Sequence, residues 1–71
     1  MTAFSKQVGG DHYKKYVIQP TEYIMKNNLS WPEGNIVKLV TRHKDKGGIQ
    51  DLRKAHHYLQ IIAEKIYGEE L

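Results

Sequence analysis

The sequence predicts an all-α fold, a small domain of three helices behind an irregular N-terminal arm, and three observations carry that prediction. Ser30-Trp31-Pro32-Glu33 has the spacing of a capping box, serine followed three residues later by glutamate, with proline inside the first turn. Leu52, Ala55, Leu59, Ile62 and Ile66 recur at alternating steps of three and four, the period of one helix face. Gly47-Gly48 separates these segments where the backbone must leave the helical region, which glycine does at least cost.

Taken in order, Met1 to Gly10 is polar, has no apolar period and reads as a flexible arm. Asp11-His12-Tyr13-Lys14-Lys15-Tyr16 follows, dense in polar and aromatic groups. Val17-Ile18 is expected to be briefly extended before Gln19-Pro20, since the residue preceding a proline is pushed out of the helical region. Pro20 suits a first helical position, so helix one should run from Pro20 to about Asn28, with Asn27-Asn28 as cap and turn. Helix two should run from Trp31 to about Lys46. Asn35, Lys38, Arg42 and Asp45 then line one face, and Ile36, Leu39, Val40 and His43 another. Helix three should start near Ile49, with Asp51 in its first turn against the helix dipole, and end at Gly68. Helices two and three form a hairpin, and the stretch Gly34 to Leu59 concentrates the chemistry.

With 71 residues, the chain reads as one domain. At that size only about 60% of the unfolded surface is buried on folding, so stability needs help. There is no cysteine, hence no disulfide staple and no thiolate metal site. Oligomerisation is the remaining way to enlarge the core, and the seam on helix three is the expected contact of a homo-oligomer. No apolar run approaches the roughly 18 residues that span a membrane, and no secretory signal is present, so no membrane is expected. A net charge of +3 with eleven Lys and Arg favours an anionic partner.

Lys38 and Arg42 lie one turn apart, and Lys44, Lys46, Arg53 and Lys54 surround the Gly-Gly turn. Arginine can hold phosphate bidentately and lysine as a movable point charge, while the start of helix three adds free backbone N–H groups. The competing reading is a solvated basic face with charge pairs such as Asp45 and a nearby lysine. Catalysis has less support. The GxxxxGK[ST] phosphate loop is absent, and Glu33, Asp45 and Asp51 sit on a cap, a helix end and a helix start. Two of these carboxylates would suffice for one Mg²⁺ only if substrate phosphates completed its shell. His56 and His57 are adjacent and point about 100° apart on a helix, so they cannot share an ion. Ser5 and Ser30 lie in the leader and a cap, where neither reads as a nucleophile. Helix three offers only Gln50, Arg53 and Lys54 as base readers, so nucleic acid ranks below nucleotide.

Several segments of the chain together resemble a known family. They are Val8-Gly9-Gly10-Asp11-His12-Tyr13, Gln19-Pro20 with Glu22-Tyr23-Ile24, Glu33-Gly34-Asn35, Lys38, Arg42, Lys44 to Gly48, and Asp51-Leu52 with Lys54-Ala55 and Tyr58-Leu59. This set, spanning Val8 to about Ile62, is similar to the SaV-like (DUF3310) family of short bacteriophage proteins. The resemblance implies a phage protein acting in the cytoplasm of the infected bacterial host. It also implies kinship with a segment of a coliphage deoxynucleoside monophosphate kinase, and a link to a bacterial abortive-infection system.

On this combined reading the leading expectation is a phage accessory protein that binds a phosphate-rich nucleotide and so withholds a signal of host defence. A deoxynucleoside monophosphate kinase is the alternative, and a protein–protein inhibitor of a host factor the second. No cofactor is expected, with Mg²⁺ entering only under the kinase reading. The expected ligand-binding residues are Asp11, His12, Tyr13, Asn35, Lys38, Arg42, Lys46, Asp51 and Lys54. Lys38, Arg42 and Lys46 would hold phosphate, His12 or Tyr13 would contact base or ribose, and Asn35 would orient the sugar. The alternative for the same residues is a structural lock in which Asp11 and Asp51 pair with Arg42 and Lys54.

Overall fold

Local backbone chemistry sets where each helix starts and stops. A computed structural model describes residues 15–71, and among these residues there are three α-helices and no strand. Helix α1 spans Pro20–Lys26 with proline at its first positions. Its C-terminal exit is a Schellman turn: Asn28 takes φ 52°, and the N–H groups of Leu29 and Asn28 donate to the carbonyls of Ile24 and Met25 at 3.1 and 3.2 Å. Asparagine tolerates this left-handed conformation better than other side chains. The helix ends at Lys26, with Asn27 as its cap and Asn28 in the turn, as expected from sequence. Val17 and Ile18 lie in bends, not in the extended piece expected there.

Helix α2 spans Trp31–Arg42 and opens on the predicted capping box. Ser30 N–H donates to Glu33 Oε1 at 2.9 Å, while the Glu33 N–H approaches Ser30 Oγ at 3.4 Å. The Ser30 N–H, helped by the Ser30 hydroxyl, holds the Glu33 carboxyl below its ordinary range. The helix ends at Arg42, four residues short of the expected Lys46. Residues 43–48 form turns instead, with Gly48 N–H donating to His43 O at 2.8 Å. Gly48 adopts φ 56°, the conformational freedom expected of the glycine pair. Gly47 is needed for a different reason. A Cβ at this position would fall on the Asp51 carboxylate.

Helix α3 spans Ile49–Ile62 and continues through a π-helical turn, Ala63–Tyr67, that the sequence did not announce. Gly68 ends it in the left-handed conformation, and Glu69 N–H reaches back to Ala63 O at 3.2 Å. The expected break at Gly68 is therefore present.

Packing centres on the α2–α3 hairpin, with α1 against α2. Gly34 is the close approach of the second contact, since a Cβ there would stand 3.0 Å from Ile24 Cγ2. The buried core side chains are few among the described residues: Leu39, Ala55 and Ala63, with Pro20 at the start of α1. The seam expected on helix three divides between a buried and an exposed side. Asp51 and Ala55 are buried and Tyr58 and Ile62 half-buried, whereas Leu52 and Leu59 remain 38% and 42% exposed. The row facing α2 is thus Asp51, Ala55, Tyr58 and Ile62. The ion pair between Arg42 and Asp51 across the tight turn fixes α3 in this rotation, and the leucines are left at the edge.

Candidate functional site

The residues predicted to hold a ligand divide among several places. Arg42 and Asp51 form the structural centre of the hairpin. Arg42 Nε and Nη2 donate to Asp51 Oδ2 and Oδ1, each at 3.1 Å, a bidentate pair. Gly47 N–H adds a third bond to Asp51 Oδ2 at 3.1 Å. Asp51 is 1% exposed and the Arg42 side chain 16%. The Arg42 hydrogen bonds, with smaller help from Gly47 and Lys54, hold the Asp51 carboxyl below its usual range despite burial. Arg42 thus pairs with Asp51 within the hairpin, which leaves the lock of the leader onto it untested. Asp11, His12 and Tyr13 lie outside the described residues, as does any pairing of Asp11.

Asn35 and Lys38 do come together. They border a groove of about 370 Å³ between the end of α1 and the start of α2, backed by Ile24, Leu29 and Gly34. Trp31 completes its rim and is 77% exposed. The Asn35 amide donates to Trp31 O at 2.8 Å, which anchors its side chain along the helix. The ligand-binding set expected from sequence held Asn35 and Lys38 but not Trp31, although positions 31, 35 and 38 are separated by four and three residues and so share one helix stripe. The spacing contained the signal.

Lys54 belongs to a second concavity of about 480 Å³ along α3, with Arg53, His57, Tyr58 and Ile61. Tyr58 follows Lys54 by one turn, the adjacency that helical spacing predicts. Lys46 is exposed in the turn between α2 and α3. A third, mostly apolar cleft of about 450 Å³ lies between the segment preceding α1 and α2, lined by Tyr16, Ile18, Tyr23, Val37 and Val40. Tyr16 closes one end: its hydroxyl lies 3.0 Å from Thr41 O and 3.1 Å from Asp45 Oδ2. Lys15 Nζ lies 2.6 Å from the same Asp45 oxygen, and that contact raises the lysine pKa. Asp45 thus ties the start of the described chain to the hairpin turn, where the sequence reading had paired it only with a nearby lysine.

Among the described residues no three His, Asp or Glu side chains come together as a metal site, and no helix is long and apolar enough to cross a membrane. The sequence profile of a family described as "Protein of unknown function (DUF3310)" matches residues 8–60. No curated protein and no solved structure matches the chain.

Proposed function

The chain belongs to the DUF3310 family, and from that premise we propose that it binds a phosphate-bearing nucleotide in the groove of Trp31, Asn35 and Lys38. One observation carries the reading: an indole, an amide and an ammonium line one side of a groove with an apolar back. Such a combination suits a base stacked on Trp31 and a phosphate held by Lys38, with the Asn35 carbonyl oxygen left to accept from a sugar hydroxyl. The groove volume is within the usual range for small-molecule sites, about 300 to 1,000 Å³. Lys46 and Lys54 add cationic field near the turn, whereas Arg42 acts through the fold. The biological reading proposed with it is that of a phage accessory protein in the host cytoplasm, sequestering a nucleotide that signals antiviral defence. Self-association through α3 is proposed alongside.

The chain has a single tryptophan, so its fluorescence reports on this groove directly. Nucleoside monophosphates, triphosphates and cyclic dinucleotides are to be titrated while fluorescence and melting temperature are followed. The expected result is quenching by at least one of them, with a matching rise in melting temperature through binding linkage. Trp31→Ala should remove about 1–3 kcal/mol of stacking from the affinity, and Lys38→Ala should weaken it roughly tenfold. No quenching and no thermal shift with any nucleotide would end the proposal. Incubating a bound nucleotide with ATP and Mg²⁺ separates the reading from the kinase alternative. Phosphoryl transfer would establish a kinase, and unchanged nucleotide would leave a binder.

A further inference from the structure

We infer that the exposed apolar edge of α3 is the contact for a second copy of this chain, lying antiparallel with Leu59 at the two-fold axis. The inference refines the self-association put forward above and does not depend on the nucleotide reading. Its first support is the rotation of α3. Because Arg42 and Asp51 turn the helix so that Asp51 and Ala55 face α2, Leu52 and Leu59 stay exposed within one chain. Ile66 and Tyr67, at 66% and 74% exposed, extend the apolar surface through the π-helical turn. Leu52 lies seven residues from Leu59 within α3, the spacing by which a helix keeps one row toward a partner helix.

The second support is charge, and it selects both the partner and its direction. Residues 44–54 carry Lys44, Lys46, Arg53 and Lys54 against two aspartates, both of which are already engaged, Asp45 with Lys15 and Asp51 with Arg42. Residues 55–63 contain no Asp, Glu, Lys or Arg. Residues 64–71 carry Glu64, Glu69 and Glu70 against Lys65 alone. From the turn before α3 to the residues after Gly68, this stretch is therefore basic at its start, neutral in the middle and acidic at its end. An antiparallel copy sets the basic end of each chain against the acidic end of the other, whereas a parallel copy sets like against like. A two-fold contact uses the same patch on both chains, as this arrangement requires. Seven residues of helix rise about 10.5 Å, so in this geometry the two copies of Leu59 touch while the two copies of Leu52 stand about 21 Å apart.

The natural absence of cysteine allows a direct test. Sedimentation of the full chain across a concentration series should show a species of twice the chain mass. Leu59→Glu, changed at an exposed position, should sediment as a monomer with its helical circular dichroism retained. Under mild oxidation Leu59→Cys should form a disulfide-linked dimer, whereas Leu52→Cys should not, being beyond the roughly 4.4–6.8 Å Cα separation a disulfide bridges. The cysteine variants decide the question even if the glutamate variant fails to fold. A monomer at every concentration would overturn self-association altogether. A dimer in which Leu52→Cys links to itself as fast as Leu59→Cys would overturn the antiparallel geometry.

Discussion

Asp51 is the residue on which the hairpin depends. It is buried and holds the charge of Arg42, and its carboxylate occupies the space that a side chain at Gly47 would need. The carboxyl ionises more readily in the folded chain than in the unfolded one. Its contribution to stability is therefore present above the unfolded pKa, about 3.9, and is lost as pH falls through the lower folded value. Thermal melts of the wild type should show stability declining as pH drops below about 4. Asp51→Asn should melt lower at neutral pH and show a shallower acid decline. The decline should not vanish, because Glu33 is held low by Ser30 in the same sense. An acid limb identical to that of the wild type would mean that Asp51 does not govern it. Gly47→Ala should also lower the melting temperature, and far more than alanine at exposed Gly48 would through backbone conformation alone. Equal losses at the two glycines would show that the Gly47 clash is relieved by local movement.

At the scale of elements, what the sequence disclosed follows the range of the interactions that decide it. The capping box, Pro20 at the first helical position, the positive φ of Gly48 and the break at Gly68 all rest on a few neighbouring residues, and all were readable. The rotation of α3 was not. Leu52, Ala55 and Leu59 form a good apolar period in sequence, yet the side that faces α2 is chosen by a salt bridge between positions nine residues apart. The same limit applies to the candidate site. Asn35 and Lys38 could be placed on one stripe by counting, and Trp31 belonged there by the same count. That Arg42 would turn inward, while Lys38 remained on a groove, required knowing where Asp51 lay. The cap itself gives a clean test, since it lies apart from the buried pair. Ser30→Ala should cost about 1 kcal/mol, which for a domain of this size corresponds to a melting temperature lower by roughly 4–8 °C. A change within experimental error would mean that Glu33 and the following turn hold the helix start without the serine.

At the scale of the whole molecule the small core becomes the governing fact. Leu39, Ala55 and Ala63 are the core side chains buried among the described residues, with Pro20 at the start of α1, and two of the core three are alanines. Leu39 should accordingly carry an outsized share, with Leu39→Ala costing about 2–5 kcal/mol and leaving little native population. Meanwhile Ile49, Leu52, Leu59, Ile66 and Tyr67 all present apolar surface along one continuous helix. A chain built this way draws part of its stability from whatever covers that helix. If the cover is a second copy, folding and association are linked, and the melting temperature must depend on protein concentration. The wild type should melt at progressively higher temperature as concentration is raised, while Leu59→Glu should melt lower and show no such dependence. A wild-type melting temperature independent of concentration would place the stability within the single chain, and Leu39 with the Arg42–Asp51 pair would then have to carry it without α3's outer edge.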